Sequence, residues 1–179
     1  MTTVNIGTLA LKVVKVSERN LARFGRQAWT VGEPLTGYAA TDVAESWGAT
    51  IWSGRVELPP LVPNRQTRGV IPLPEGLAAA GPGMYVLLAS PGDGTRADAV
   101  ALPVLVTDLG LTAWRGREGL AAQLRALGTG RPIAGVRLRL LANGNDILAE
   151  ASTDADGIVR FAGPLLRGTG PMAPRAVLA

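Results

Sequence analysis

Glycine and proline recur too often along this chain for long regular helices: 23 glycines and 13 prolines punctuate 179 residues. Proline fixes φ and removes a backbone donor, and glycine costs backbone entropy inside a helix, so a helical bundle is excluded. Short strands joined by tight turns tolerate such punctuation. Between the breakers lie short runs of alternating polarity, spaced about 8–12 residues apart with a turn signal each time, which predicts an all-β protein of sandwich type. Apolar residues make up 47% and charged residues 18%, a balance that fills a core and argues against disorder. The length accommodates one filled core or two sandwiches of about 90 residues each.

Residues 4–16 alternate, with Leu9, Leu11 and Val13 on one face and Lys12 on the other, as a half-buried strand does. Residues 17–37 carry Gly25, Gly32, Pro34 and Gly37 and read as loop with short extended pieces. Residues 38–47 form the one expected short helix, starting near Thr41 or Asp42 and ending at Gly48. Residues 49–58 follow as a strand with a bulge or turn at Gly54, then an irregular edge through Val62, Pro63 and Asn64 and a short strand over 68–73. A hairpin is expected from 83–89 and 99–106 around Pro91-Gly92-Asp93-Gly94. Further strands are expected over 109–114, 136–140, 147–153 and 158–162, with turns at Asn143-Gly144-Asn145 and at Asp154-Ala155-Asp156-Gly157. Residues 120–127 fit both a helical and a two-residue period, and periodicity alone leaves the two open.

The chain contains neither Cys nor His. That removes disulfides, thiol nucleophiles, zinc-finger spacings, His bases and Ser-His-Asp triads together. The net charge of +4 is dispersed: residues 1–106 carry nine basic and eight acidic groups, and 107–179 carry nine and six. Without basic runs, and with 4% aromatics, nucleic acid is not an expected partner. Asp154-Ala155-Asp156-Gly157 opens like a calcium loop, but Ile158, Arg160 and Ala162 stand where oxygen ligands are needed, so a structural turn is expected. Trp29, Trp47, Trp52 and Trp114 suit core packing better than a ligand platform. Asp93 and Asp98 flank a turn without an acid/base partner, Glu118 sits in a Gly-rich turn, and Gly92-Asp93-Gly94 lacks the Lys and helix of a phosphate loop. No catalytic, cofactor-binding or metal residue is therefore assigned, and the chain is read as a non-enzyme. The apolar stretch 97–111 is interrupted by Asp98, Pro103 and Asp108, so no membrane insertion is expected. The N-terminus shows no signal peptide, and both termini read as the cut ends of a longer protein.

One group of segments resembles a known family. Residues 104–116 (VLVTDLGLTAWRG), 131–141 (RPIAGVRLRLL) and the turn Thr153-Asp154-Ala155-Asp156-Gly157 are similar to the early macroglobulin-domain region of bacterial α2-macroglobulins. Val4-Asn5-Ile6, Leu73-Pro74 and residues 82–87 (PGMYVL) are similar to the domain before it. The resemblance implies tandem fibronectin- or Ig-like macroglobulin β-sandwiches, at 1–106 and 107–179, with one short helix in the first and the second truncated at its C-terminus. It also implies that 120–127 is a strand. The function it implies is that of a structural scaffold fragment of a broad-range protease-trapping inhibitor. Partners would be neighbouring domains of the parent chain and, through the full-length protein, target proteases. The parent would be periplasmic and anchored to the inner membrane. The bait region and the Cys-Gln thioester of the family have no counterpart in these residues. The rival reading is an Ig-like adhesion or ligand-binding pair of a bacterial surface protein; a sandwich-fold carbohydrate enzyme would need an acidic pair lining a cleft.

Overall fold

The computed structural model describes residues 2–24, 34–60, 62–71, 77, 79–93 and 98–179. The chain divides into two compact units, Met1–Asn20 with Ala28–Val106, and Leu21–Gln27 with Thr107–Ala179. Among the described residues no helix is long and apolar enough to cross a membrane.

The first unit is built on β2 (Thr8–Val16), which pairs antiparallel with β4 (Gly48–Glu57) on one side and β6 (Gly83–Pro91) on the other. β7 (Ala99–Val106) pairs with β6, and the two-residue β3 (Pro34–Leu35) with the start of β7, giving the sheet order β3-β7-β6-β2-β4. β1 (Thr2–Val4) and β5 (Gln66–Arg68) form a separate pair. Successive side chains of a strand point to opposite faces. Leu9, Leu11 and Val13 accordingly share one face of the sheet with Tyr85, Leu87 and Ala89, while Val14, Val16, Val86 and Leu88 share the other, and all are buried. Both faces of β2 are thus covered. The second face meets α2 (Gly37–Ser46), which buries Val43 and is followed by the buried Trp47.

Several local expectations change. The strand read over 4–16 is broken after β1, because Asn5 adopts a left-handed φ of 57° and exchanges hydrogen bonds with Asn64 (φ 60°): Asn5 Nδ2 donates to Asn64 Oδ1 at 3.0 Å, and Asn64 N donates to Asn5 Oδ1 at 2.7 Å. Asparagine tolerates this conformation, and its partner lies 59 residues away, beyond any local pattern. A second helix, α1 (Glu18–Phe24), occupies part of the segment read as loop. Helix α2 begins earlier than Thr41 or Asp42: Thr36 caps it, its hydroxyl accepting from Ala39 N at 3.3 Å. Its C-terminal end is held by Ser17 and Asn20, since Ser17 N, Ser17 Oγ and Asn20 Nδ2 all donate to Trp47 O. The irregularity of β4 lies at its pairing with Val13 and Val14, where Trp52 and Thr50 are the successive partners, and the strand runs through Gly54 without a bulge. Gly54 is required for another reason. A Cβ there would lie 2.6 Å from the Trp52 indole, which lies over it and packs against the Leu9/Leu11 and Val13/Tyr85 clusters alike.

The second unit pairs β8 (Leu109–Arg115), β9 (Gly119–Ala126) and β12 (Ile158–Ala162) in the order β12-β9-β8. A second three-stranded sheet, β11-β10-β13, comprises β10 (Arg137–Ala142), β11 (Ile147–Ser152) and β13 (Pro174–Leu178). Ala122, Leu124, Val159 and Phe161 of the first sheet form one buried core with Leu138 and Leu140 of the second. Residues 120–127 therefore resolve to a strand. β13, unassigned by the sequence pattern, is reached through two 3-10 turns, Gly163–Leu166 and Gly170–Met172, and pairs with β10. Thr153 is the buried polar group of this unit among the described residues; its hydroxyl donates to Ile133 O at 2.7 Å and accepts from Val136 N at 3.0 Å.

Two substitutions test this packing. Gly54→Ala should lower stability by about 1–3 kcal/mol, because the added methyl must displace the Trp52 ring, whereas Gly37→Ala, with no atom within 4 Å of the added Cβ, should leave it unchanged or slightly raised. Thr153→Val should cost about 1–3 kcal/mol by stranding the Ile133 carbonyl and the Val136 amide. Urea unfolding read by circular dichroism measures both; a neutral Gly54→Ala or Thr153→Val would contradict the packing described.

Candidate binding surfaces

The residues singled out in the sequence fall into separate places. Asp154 Oδ1 accepts from Asp156 N at 3.0 Å and from Ile158 N at 2.8 Å, so one carboxylate oxygen closes the turn itself. The other oxygen lies 4.0 Å from the Arg160 guanidinium, with both side chains well exposed. The carbonyl of Asp156 accepts from Gln123 Nε2 at 3.1 Å, which ties the turn to β9. Gly157 closes it at φ 71°, and a Cβ there would come 2.4 Å from Leu124 O. Left-handed backbone and close approach both demand glycine. Among the described residues no three carboxylates gather as a metal-ion cluster.

The described tryptophans have different surroundings. Trp47 is buried, with Nε1 donating to Asp42 Oδ2 at 3.0 Å; Trp52 is half-buried beside Gly54; Trp114 is 53% exposed on β8; and Trp29 lies outside the described residues. Asp93 and Asp98 are exposed at the two sides of the β6–β7 turn, whose residues 94–97 lie outside the described ones, Gly94 among them. Gly92 N donates to Thr8 O at 2.8 Å, which anchors this turn to the start of β2. Glu118 is exposed between β8 and β9.

Among the described residues a hollow is found in each unit. The first encloses about 870 Å3 beside α2 and over the β2–β4 floor. Lys12, Ser53 and Arg55 rise from that floor, Thr41 and Glu45 face it from α2, and Asp98 stands at its side. Tyr38, 87% exposed, is among the residues that line it. Such a mixture of both charges and hydroxyls can hold polar groups, and the Thr41 hydroxyl among them donates to Gly37 O at 2.9 Å. The second hollow, about 660 Å3, lies against β8, β9 and β12. Sequence reasoning did not anticipate either, since each is assembled from residues whose common face depends on strand register. The register signal was there for the second: alternation along 120–126 and 158–162 places Ala121 and Arg160 away from the core.

Comparisons with known proteins add a family match over part of the chain and a likeness of fold. Residues 106–179 match the family model described as the bacterial alpha-2-macroglobulin MG3 domain. The structure is similar to the crystal structure of native alpha-2-macroglobulin from Escherichia coli spanning domains NIE-MG1, with TM-score 0.69 and 20% identity over 90% of this chain and 76% of that one. It is also similar to the structure spanning domains MG0-NIE-MG1 (TM-score 0.64, 19% identity, 90% of this chain and 50% of that one). The trypsin-activated alpha-2-macroglobulin of Escherichia coli gives TM-score 0.67 at 20% identity over 90% of this chain, which spans only 11% of that one. At these identities the structural likeness is one of fold. None of the curated proteins compared with the chain matches it.

Asp154→Ala should lower stability by about 1 kcal/mol through loss of the two amide bonds, while millimolar calcium should leave the melting temperature of the unsubstituted protein unchanged. A calcium-dependent rise that Asp156→Ala abolishes would overturn the reading of this turn as purely structural.

Proposed function

We propose, from the match of residues 106–179 to the MG3 domain model of bacterial α2-macroglobulins, that the chain is a scaffold portion of such a protein, contributing two consecutive macroglobulin-type domains with their boundary near Val106. The single observation carrying this is the coincidence of the family match over 106–179 with the paired three-stranded sheets found there. In this role the domains are spacers. β7 ends at Val106 and β8 starts at Leu109, and between them Leu109 N is bonded to Thr107 Oγ1 at 2.9 Å.

The scaffold itself does no chemistry. A thioester needs a cysteine, and the chain has none; protease trapping therefore belongs to the longer parent, with these domains holding distances around the trapped enzyme. A periplasmic site of action is part of the same proposal, and the wide scatter of charge agrees with a role in which neighbouring domains, rather than nucleic acid, are the partners.

The test is direct. The purified chain, mixed with trypsin or elastase at equal concentration, should leave cleavage of a protein substrate unchanged, and removing these residues from the longer parent should abolish its trapping of the protease. Stoichiometric inhibition by the isolated chain, or a parent that traps equally well without it, would overturn the scaffold reading.

A further inference from the structure

β8 forms the edge of its sheet: β9 pairs with one side of it, and among the described residues no strand pairs with the other. The ladder fixes which backbone groups are left over. Gly116 N donates to Gly119 O and Leu127 N to Asp108 O, so the bonded positions of this antiparallel pair fall at 110, 112 and 114. Leu109, Leu111, Ala113 and Arg115 then turn their N–H and C=O groups outward. The Leu109 amide is taken by Thr107 Oγ1. Those of Leu111, Ala113 and Arg115 face the open edge.

Open edges are normally guarded by Pro, by inward charges or by a covering element. β7 carries Pro103 in the part that β3 leaves unpaired, but Leu109–Arg115 holds no Pro, Lys, Asp or Glu. Its two faces differ in chemistry. Leu109, Leu111 and Ala113 stand opposite Ala126, Leu124 and Ala122, hence on the core side, yet Leu111 is 39% exposed and Ala113 is exposed. On the outer side Trp114 and Arg160 both stand opposite Ala121, and Arg125 stands opposite Gly110. The second hollow opens over Ala121, between Trp114 and Arg160, with Arg117 and Glu118 at its end. The sheet and its turn thus set Arg115, Arg117 and Arg125 against Glu118, while Arg160 lies 4.0 Å from the Asp154 carboxylate.

We propose that β8 accepts, by strand addition, an extended segment of a partner polypeptide that alternates acidic and apolar residues. The backbone groups at 111, 113 and 115 set its register. Its apolar side chains extend the stripe begun by Leu111 and Ala113, and its carboxylates lie on the outer face, within a Debye length of Arg117 and Arg125. A second copy of β8 is a poorer occupant, since it would bring the same arginines together. The inference stands independently of the scaffold reading.

The whole 179-residue chain should be titrated with acetyl-Glu-Val-Glu-Leu-Glu-Val-Glu-amide and with its Lys counterpart, following amide exchange by NMR. The Glu peptide should protect the amides of Leu111, Ala113 and Arg115, bind about tenfold tighter than the Lys peptide, and weaken in 0.5 M salt. Ala113→Pro should abolish binding while the β9 amides stay protected, because the amide it removes does not bond β9. Should that variant fail to fold, the Arg117→Glu, Arg125→Glu pair should weaken the Glu peptide about tenfold. Equal affinity for the two peptides, protection at other amides, no binding at peptide concentrations on the order of millimolar, or protection of 111, 113 and 115 through self-association without peptide would each overturn the proposal.

Discussion

A pleated strand commits its side chains to two faces in strict turn, and a single slip sends every apolar residue to the wrong one. This phase constraint governs both units. In β2 it is doubly severe, because both faces are covered: Leu9, Leu11 and Val13 look one way, and Val14 and Val16 the other. The irregular pairing opposite Val13 and Val14 falls on β4, so the alternation of the central strand is unbroken. In the second unit the same logic places the shifts of β10 at its far end, past Leu138 and Leu140, which enter the shared core.

Where phase alone leaves backbone groups without partners, a few polar side chains supply them. The end of α2 has no strand to accept from, and Ser17 and Asn20 converge on the Trp47 carbonyl instead. Thr153 does the same for residues 133–136, which run beside the core without joining a sheet. These hydroxyl and amide groups are consumed by structure.

The parts of this fold visible in the sequence are those written locally: β2 and β10 in their two-residue alternation, β6 and β7 as apolar runs around a Gly/Pro turn, β11 and β12 beside their own turns, and the turn at Asp154–Gly157 in Asp and Gly chemistry. What escaped was set at long range. Asn5 breaks its strand because Asn64 waits to bond it, Gly54 serves a neighbouring indole and not a bulge, and β13 lacks a clear alternation because Ala176 and Val177 are both only half-buried. For residues 120–127 the local pattern was balanced between helix and strand, and pairing to β8 and β12 decided it. The edge of β8 was legible as a strand, but its exposure was not, since burial depends on which face the other sheet covers.

The position of β10 also orders the assembly of its unit in time. Its neighbour β11 follows directly in the chain and can pair as a local hairpin, whereas β13 is the last strand to arrive. Local hairpins close quickly, and contacts between distant segments wait on loop closure. During synthesis, therefore, the second edge of β10 stays unsatisfied until Pro174–Leu178 has left the ribosome. Over that interval a buried-to-be strand carrying Leu138, Leu140 and Leu141 is a template for wrong pairing. Arg137 and Arg139, interleaved between the core leucines at its start, keep that transient edge charged until its proper neighbour reaches it.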